Sequence, residues 1–297
     1  MNVLLVGGYP EFVVREIKKK AKLVIIRKSG REKIEREIAN AEILVVTPET
    51  KIDKKLLEKA RGLKAVITFS HGYEHVDVHA LKSRGIKFHT IPGSTSSVAE
   101  LTFGLMIAVL RKIPEHDRCM KKGGWRKGTE DFGYELRGKT LGVVGMGPIG
   151  REVCRIAKAF GMEVVACDPN RLMEGKPEVK MVGLDELLEI SDIVSLHAHL
   201  NGKTFHMIGT RELEKMKKSA VLINTARGGL VDSKALYKAL KSGRIAGAGL
   251  DVFEREPPGK DKLVSLPNVV CTPHAGADTF ESEERKGRML LGILKRL

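Results

Sequence analysis

Five short runs of aliphatic residues occur in the first 90 positions of the chain, separated by charged stretches with scattered apolar residues. The runs read NVLLVG, KLVIIR, AEILVV, LKAVITF and GIKFHT. Apolar runs of this length, rich in Val and Ile, are typical of strands, and the longer charged stretches are typical of helices. Strands that alternate with helices predict right-handed crossover units and therefore a parallel sheet.

A second series of runs follows, and it reads TLGVVGMG, MEVVACDP, DIVSLHA, AVLINTA, IAGAGLDV and NVVCTPH. Two such series predict an α/β protein with two doubly wound parallel-sheet domains. Residues 94–113 begin with Ser and Thr and carry apolar residues at helical spacing, which predicts one long linking helix. Residues 119–140 lose this periodicity and contain the single tryptophan, Trp125, so we expect an extended arm there. One last helix is predicted from about Asp278 to Leu297.

The composition predicts a globular protein of the cytoplasm. The chain has 297 residues, enough for two ordinary domains, and 42% of them are hydrophobic. No apolar run approaches a membrane span, and the residues after Met1 lack the basic start and cleavage site of a signal peptide, so we expect no membrane partner. The four cysteines show neither a CxxC pair nor metal-finger spacing and are predicted to be reduced thiols.

The formal net charge of +15 is the one unusual bulk property. Lys and Arg are interleaved with acids, as in REKIEREIAN and ESEERKGR, which is more typical of a solvated helix surface than of a nucleic-acid-binding stripe. We therefore expect no nucleic-acid partner and a positive field that attracts small anionic substrates. A basic nucleic-acid-binding protein is the least favoured of three hypotheses for the function, and salt-sensitive retention on DNA would support it.

The segment TLGVVGMGPIGREVCRIAKAFG contains the G-x-G-x-x-G spacing of dinucleotide-binding proteins. An apolar run precedes the motif and a helical pattern follows it, which is the context the motif requires. Gly145 permits the tight turn, Gly147 lets a pyrophosphate approach the backbone, and Gly150 lets helix and strand pack closely. The phosphates are expected at the helix N-terminus, beside Pro148 and Ile149.

Asp168 ends the next predicted strand, about 18 residues after the last glycine of the motif. An acid at this distance accepts hydrogen bonds from the ribose hydroxyls of NAD and repels the 2′-phosphate of NADP, so the predicted cofactor is NAD. Arg171 lies close enough to leave some use of NADP open. The less specific interpretation, a glycine turn followed by an incidental acid, is disfavoured because strand, turn, helix and acid occur in order.

A nicotinamide cofactor carries the hydride, so the protein must add a substrate anchor and a group that exchanges a proton. Three segments at the ends of late predicted strands offer such groups: Arg227 in NTARGG, the acids of LDVFEREPPG, and His274 in CTPHAG. Ligands of open α/β sheets bind at these ends. An arginine crowded by glycine and alanine suits a planar anion. Taken singly, Glu256 is an ordinary loop acid, and His274 is more often a satisfied loop histidine than a catalytic one.

Several motifs in one order carry a resemblance to a known family. They are HGYEHVDV, SSVAE, GMGPIG, MKKSAVLINTARGGLVD, DVFEREPP and TPHAG, and they cover most of the chain. In these segments the sequence resembles the NAD-dependent D-2-hydroxyacid dehydrogenases. The resemblance implies a flavodoxin-like substrate domain of residues 1–93 and 275–297, and a Rossmann dinucleotide-binding domain of residues 94–274. It also implies a homodimer formed through the cofactor domain, with the arm around Trp125 crossing to the partner.

The resemblance implies a role for each candidate site residue. Arg227 would bind the carboxylate and carbonyl oxygens of a 2-oxo acid, with help from backbone N–H groups near His71 and Gly72. His274 would donate the proton as hydride arrives. Glu256, which directly precedes the proline, would fix the tautomer of His274 and raise its pKa. Cofactor contacts are also implied at His197, Thr225, Ala226, Arg227, His274 and Asp251, the last near the nicotinamide carboxamide.

Two pairs of histidines have spacings that metal ligands also show, His75 with His79 and His197 with His199. Neither pair comes with an evident third ligand or an HExxH motif, so no metal is predicted. The sequence departs from the family where LHAHLN replaces the usual LHxPLT, which places His199 and Asn201 at the edge of the expected cofactor pocket.

The predicted substrate is a small 2-oxo or 2-hydroxy acid of the glyoxylate or hydroxypyruvate type. The loop VVTPETKID lacks the arginine that phosphoglycerate-type members tend to place there, and Lys51 is the nearest basic residue. D-3-phosphoglycerate dehydrogenase stays open as an alternative because of the net positive charge. A second alternative is a non-enzymatic NAD(H)-sensing protein, although the chain has all three candidate catalytic residues, Arg227, Glu256 and His274.

Overall fold

The computed structural model describes residues 1–27, 30–125, 128–129, 132–169 and 179–297. The chain divides into two compact units. The first comprises Met1–Ser94 and Asp278–Leu297, and the second comprises Thr95–Ala277.

Strands and helices alternate in the first unit. The strands are β1 (Asn2–Val6), β2 (Lys22–Ile26), β3 (Ile43–Val46), β4 (Ala65–Thr68) and β5 (Lys87–Thr90). The helices are α1 (Glu11–Lys18), α2 (Arg31–Glu37), α3 (Lys54–Glu58), α4 (Val78–Ser83) and the C-terminal α11 (Phe280–Leu294). All strand pairs are parallel and the order is β2-β1-β3-β4-β5, which is the flavodoxin-like order.

Helices cover both faces of the first-unit sheet, because successive strand residues point to opposite sides. Leu4 and Val6 of β1 share one core cluster with residues of α2, α3 and α4, whereas Val3 and Leu5 share the opposite cluster with residues of α1 and α11. Strands buried on both faces are apolar at most positions, which explains the long aliphatic runs. The C-terminal helix thus completes the core of the N-terminal sheet.

The second unit begins with helices α5 (Thr95–Leu110) and α6 (Ile113–Lys121). Its strands are β6 (Thr140–Val144), β7 (Glu163–Cys167), β8 (Lys180–Met181), β9 (Ile193–Leu196), β10 (Val221–Asn224), β11 (Gly247–Leu250) and β12 (Val269–Cys271). The remaining helices are α7 (Pro148–Ala159), α8 (Leu184–Ile190), α9 (Thr210–Lys215) and α10 (Ser233–Lys241).

The second sheet is also parallel, in the order β12-β11-β10-β9-β6-β7-β8. The order reverses beside β6, which carries the glycine motif at its end, and this is the arrangement of Rossmann sheets with an added edge strand. The predicted fold class, two doubly wound parallel α/β sheets, is confirmed.

Three details of the predicted elements are wrong. The linking helix ends at Leu110 rather than at residue 113, because Lys112 adopts a left-handed conformation (φ 50°) and a proline in the first turn starts a separate helix. That helix continues to Lys121, so the irregular segment begins later than residue 119. The two-residue strand Lys180–Met181 was not predicted, since it is too short to leave a periodic signal.

The turn between β6 and α7 depends on two close backbone contacts. Gly145 has φ 99°, and a Cβ there would lie 2.6 Å from the carbonyl carbon of His197. A Cβ on Gly150 would lie 2.0 Å from the carbonyl oxygen of Gly145. A Cβ on Gly147 would meet nothing within 4 Å. The first and third glycines are therefore needed for packing, and the second leaves open space at the helix N-terminus.

We expect Gly150→Ala to destabilise the protein at the upper end of the roughly 1–3 kcal/mol that overpacking costs, since the added methyl overlaps backbone that cannot move aside. Gly147→Ala is the matched control, and it should cost about 1 kcal/mol or less because only the capping preference of glycine is lost. Urea unfolding of both variants without cofactor measures the difference. Equal stabilities would contradict the packing role of Gly150.

Candidate active site

The N-terminus of α7 has the features of an anion site. Gly147 occupies the cap position and has no side chain with which to cap the first N–H groups of the helix. The helix dipole adds positive potential at this point. Pro148 and Ile149 form the first turn of the helix, as the motif predicts. The open space beside Gly147 is what a pyrophosphate needs for close approach to the backbone.

Asp168 follows β7 directly and is tied to the glycine turn. Its Oδ2 accepts a hydrogen bond from the Met146 N–H at 2.8 Å. This contact holds the carboxylate beside the same turn that would bind the phosphates. The spacing of carboxylate and turn therefore fits the ribose and pyrophosphate of a dinucleotide.

His197 follows β9 and faces the glycine turn through its backbone. Its Nε2 shares a hydrogen bond with Ser195 Oγ at 2.8 Å, and burial lowers the pKa of His197 to about 4. The imidazole is therefore neutral near pH 7. Its Nδ1 is buried and has no hydrogen-bond partner within the described part of the chain. A buried polar atom of this kind calls for a ligand or water, and together with the open glycine turn it fits a bound dinucleotide.

Arg227 is carried by a turn that a buried asparagine shapes. Asn224, which ends β10, is 1% exposed. Its Nδ2 donates to the Arg227 carbonyl at 2.9 Å, and its Oδ1 accepts from the Ala226 N–H at 3.1 Å. Thr225, predicted as a cofactor contact, is buried and shares a hydrogen bond with Thr102 of α5 at 2.9 Å. These bonds leave the turn little freedom, so the strand fixes the backbone from which the Arg227 side chain projects, and the guanidinium donates to the Ala226 carbonyl at 2.7 Å.

The glycine after Arg227 allows two loops to touch. A Cβ on Gly228 would lie 1.9 Å from the carbonyl carbon of Phe253. The loop after β10 therefore packs backbone to backbone against the loop after β11, which carries Glu256. Any larger residue at position 228 would push the two loops apart.

His274 and Glu256 form a close pair. His274 Nδ1 lies 2.7 Å from Glu256 Oε2, and the other carboxylate oxygen accepts from the Phe253 N–H at 3.0 Å. His274 has φ 58°, a conformation uncommon outside glycine. Such a conformation persists where the surroundings dictate it, and it occurs often at functional sites.

Asp251 holds the turn on which His274 sits. The aspartate is 1% exposed, and its carboxylate accepts from Thr272 Oγ1 at 2.5 Å, the Ala275 N–H at 2.7 Å and the Gly276 N–H at 2.9 Å. The His274 N–H donates to the Asp251 carbonyl at 2.8 Å. Both carboxylate oxygens thus bind the chain itself, a role that the sequence analysis did not identify for this residue.

The electrostatics of the pair favour a charged histidine. The hydrogen bond to Glu256 raises the pKa of His274, against burial, which lowers it. Burial raises the pKa of Glu256, but the hydrogen bonds from His274 and from the Phe253 N–H, with the charge of Arg227, lower it more. The carboxylate is therefore ionised and fixes Nδ1 as a donor, which leaves Nε2 for proton transfer.

His71 and Gly72, predicted to contact the substrate, lie in the first unit, in the loop after β4. Ser70 Oγ donates to the Gly72 carbonyl at 2.7 Å and shares a hydrogen bond with Thr68. His75 Nε2 lies 3.0 Å from Thr68 Oγ1. A hydroxyl network therefore shapes this loop.

Among the described residues there is no group of three or more His, Cys, Asp or Glu side chains that could hold a metal ion. The same residues include no helix with the length and apolar character needed to cross a membrane. His199 is exposed, and Arg171 lies outside the described residues.

Sequence reasoning missed Asn224 and the bonding of Asp251. Each is a polar residue at or just after the end of an apolar strand, and each is almost fully buried. A buried polar group must be hydrogen-bonded, so a polar residue at this position was a usable signal. Which atoms it would bind depends on loops far away in the sequence.

Comparison with known proteins identifies the family. Residues 103–276 match the family model for the NAD-binding domain of D-isomer specific 2-hydroxyacid dehydrogenases. Glyoxylate reductase of Thermococcus litoralis is 43% identical over 84% of this chain and 78% of its own length. D-3-phosphoglycerate dehydrogenase of Methanocaldococcus jannaschii is 39% identical over 100% of this chain, which spans only 57% of that relative.

A solved structure supports the same family assignment. D-lactate dehydrogenase of Aquifex aeolicus, in complex with NAD and lactic acid, has a TM-score of 0.89 to this chain at 35% identity, over 99% of this chain and 94% of that one. The matched NAD-binding domain includes the glycine turn, Asp168 and His197. The chain belongs to the D-isomer specific 2-hydroxyacid dehydrogenase family, and its second unit contains the NAD-binding domain of that family.

Proposed function

We propose that the chain is an NAD-dependent oxidoreductase that interconverts a small 2-oxo acid and the corresponding D-2-hydroxy acid. The observation that carries this proposal is the His274–Glu256 contact of 2.7 Å, within electrostatic reach of Arg227. An acid that can give up a proton beside a permanent cation is what reduction of a carboxylated ketone or aldehyde requires.

Arg227, His274 and Glu256 each have a separate role in the proposed reaction. When bound, NADH supplies the hydride for the carbonyl carbon. Arg227 binds the carboxylate and polarises the carbonyl through its planar fork. His274 Nε2 donates a proton to the carbonyl oxygen, and Glu256 holds Nδ1 and stabilises the charged ring until that transfer. In the oxidative direction His274 accepts the proton instead. Substrate contacts at His71 and Gly72 stay a prediction.

The substrate we favour is glyoxylate or hydroxypyruvate. Relatives named glyoxylate reductase and hydroxypyruvate reductase are 43% and 44% identical, and the chain covers 78% and 82% of their lengths. The relative named D-3-phosphoglycerate dehydrogenase is nearly twice as long, so it supports the alternative less strongly. Lys51, the nearest basic residue in the loop where phosphoglycerate-type members tend to place an arginine, is exposed, and its backbone carbonyl accepts a hydrogen bond from Arg31.

We assign NAD rather than NADP because of Asp168. Its carboxylate is held beside the glycine turn by the Met146 N–H, where it would accept hydrogen bonds from the ribose hydroxyls. The same negative charge would repel a 2′-phosphate. A higher rate with NADH than with NADPH is the expected outcome of the assay below.

We further propose a cytoplasmic homodimer formed through the second unit. Five exposed apolar side chains fall within 22 consecutive positions of that unit, whereas soluble monomers usually scatter such residues. They are Ile113, Met120, Trp125, Phe132 and Tyr134, which are 48% to 73% exposed. A partner subunit would cover this surface.

The activity is tested with purified protein, by following NADH and NADPH oxidation at 340 nm with glyoxylate, hydroxypyruvate, pyruvate and phosphohydroxypyruvate. We expect turnover with one of the first two. In Arg227→Ala, kcat/KM should fall at least about thirtyfold, since a charge-assisted anchor contributes roughly 2–5 kcal/mol and 1.4 kcal/mol is tenfold.

Two controls accompany this assay. Arg211→Ala removes an exposed arginine that pairs with Asp185 and should leave kcat/KM unchanged. NADH binding, followed by fluorescence, should survive in Arg227→Ala. A wild-type chain that binds NADH but reduces none of the four acids would contradict the proposal and favour an NAD(H)-sensing protein.

The dimer is tested by light scattering after size-exclusion chromatography. We expect a mass twice the 32.7 kDa of one chain, and dissociation at micromolar concentration in the double variant Trp125→Ala/Phe132→Ala. Phe280→Ala, which removes a 94% exposed side chain of the first unit, is the matched control. A monomeric wild type would rule the homodimer out.

A further inference from the structure

A second histidine–carboxylate pair lies beside the first. His206 Nε2 is 2.9 Å from Glu254 Oε1, and Glu254 Oε2 accepts from the Ser233 N–H at 3.4 Å. Burial raises the pKa of Glu254, but its hydrogen bonds to Ser233 and His206 lower it more, so the carboxylate is ionised. Neither residue has a part in the proton transfer proposed above.

The backbone of His206 is bound to the segment that follows Arg227. Its N–H donates to the Gly229 carbonyl at 2.8 Å, and two residues later the Ile208 N–H donates to the Leu230 carbonyl at 3.0 Å. His206 has φ 53°, a left-handed conformation that few non-glycine residues adopt. The surrounding bonds hold it there, and this turns the ring toward Glu254.

An aromatic neighbour limits the rotation of the His206 ring. The rings of Phe205 and His206 are stacked with centroids 3.9 Å apart. A Cβ on Gly229 would lie 3.5 Å from the Phe205 ring, so Phe205 in turn rests on the segment after Arg227. The imidazole is thus fixed between Phe205 and Glu254.

Glu254 belongs to the loop that carries Glu256. Residues 254–257 are exposed and lie outside any helix or strand, which are features of a segment that opens easily unless it is tethered. Phe253, next to Glu254, donates its N–H to Glu256 and packs on Gly228. His206 therefore contacts both loops of the candidate active site, through its backbone on the Arg227 side and through its ring on the Glu256 side.

We propose that His206 and Glu254 form a positioning pair, which holds the Glu256 loop against the Arg227 segment and so keeps Glu256 on Nδ1 of His274. This inference rests on the function proposed above and extends it to two residues that do not touch the reacting atoms. Without the tether, Glu256 moves away from His274 for part of the time. The imidazolium is then less stabilised, and His274 loses its proton at lower pH.

The kinetic test compares Glu254→Ala and His206→Ala with the wild type, across pH 5.5–9, in the reduction of the best 2-oxo acid. We expect kcat to fall about tenfold while KM changes less than about twofold, because a displaced Glu256 affects proton transfer more than anchoring by Arg227. The alkaline limb of kcat should move down by about half a pH unit or more. Among the described residues, the charged side chains that face His274 are those of Glu256, Asp251 and Arg227. Those of Asp232 and Glu254 face His206.

Conservative variants separate positioning from general stability. Glu254→Gln and His206→Gln keep an acceptor and a donor at the same places, so both should restore most of the wild-type kcat and pH profile. Glu186→Ala removes a more exposed pair with Lys180 in the same unit and should change neither. Conservative variants as impaired as the alanine variants would overturn the proposal.

An NMR titration of His274 needs no turnover and separates failure of this inference from failure of the proposed function. The ring signals, assigned with His274→Gln, should titrate at lower pH in Glu254→Ala than in the wild type, whether or not the protein reduces any acid. An unchanged titration would overturn the positioning role even in an active enzyme. A shifted titration in an inactive protein would support the tether and refute the catalytic function.

Discussion

The buried carboxylate of Asp251 is the constraint on which the candidate site depends. A polar group that is 1% exposed must be hydrogen-bonded, and here Thr272, Ala275 and Gly276 donate to the Asp251 carboxyl group. These bonds hold the turn after β12 in which His274 has its left-handed backbone. The Asp251 N–H also donates to the carbonyl of Asn224, which connects this turn to the one that carries Arg227. Asp251 thus contacts both turns, the His274 turn through its carboxylate and the Arg227 turn through its backbone N–H.

The parallel sheet explains why these groups meet. Every strand of the second unit ends at the same edge, so polar residues that terminate apolar strands collect there. Asp168, His197, Asn224 and Asp251 all stand at or just beyond such ends. The interior positions of the strands are mostly apolar, and the candidate site residues stand at the edge. The loop after β11 adds Glu256, the carboxylate that contacts His274. This loop belongs to no helix or strand, so side-chain and backbone contacts with other segments must keep it in place.

Much of the fold is predictable from local pattern, because strands buried on both faces leave continuous aliphatic runs and the glycine motif has its own spacing. The break between helices α5 and α6 at Lys112 is not predictable in this way, because a single left-handed residue leaves no periodic signal. The motifs also identify Arg227, Glu256 and His274 as candidates, whereas the bonding of Asp251, Asn224 and His206 joins segments distant in sequence. Those bonds exist only once the sheet has brought the loops together, so no local pattern contains them. The roles of all these residues in catalysis stay predictions.

The most direct test of the central claim is the pH dependence of kcat/KM for 2-oxo acid reduction by the wild type and Glu256→Gln. Reduction needs protonated His274, so the rate should be high at low pH and fall as pH rises through the pKa of that residue. Since Glu256 raises this pKa above the usual range for histidine, the activity of the wild type should extend to higher pH than that of a variant without this contact. Glu256→Gln should lose activity at lower pH and have a lower maximum. Coincident profiles for the two proteins would show that the pair does not control the proton donor.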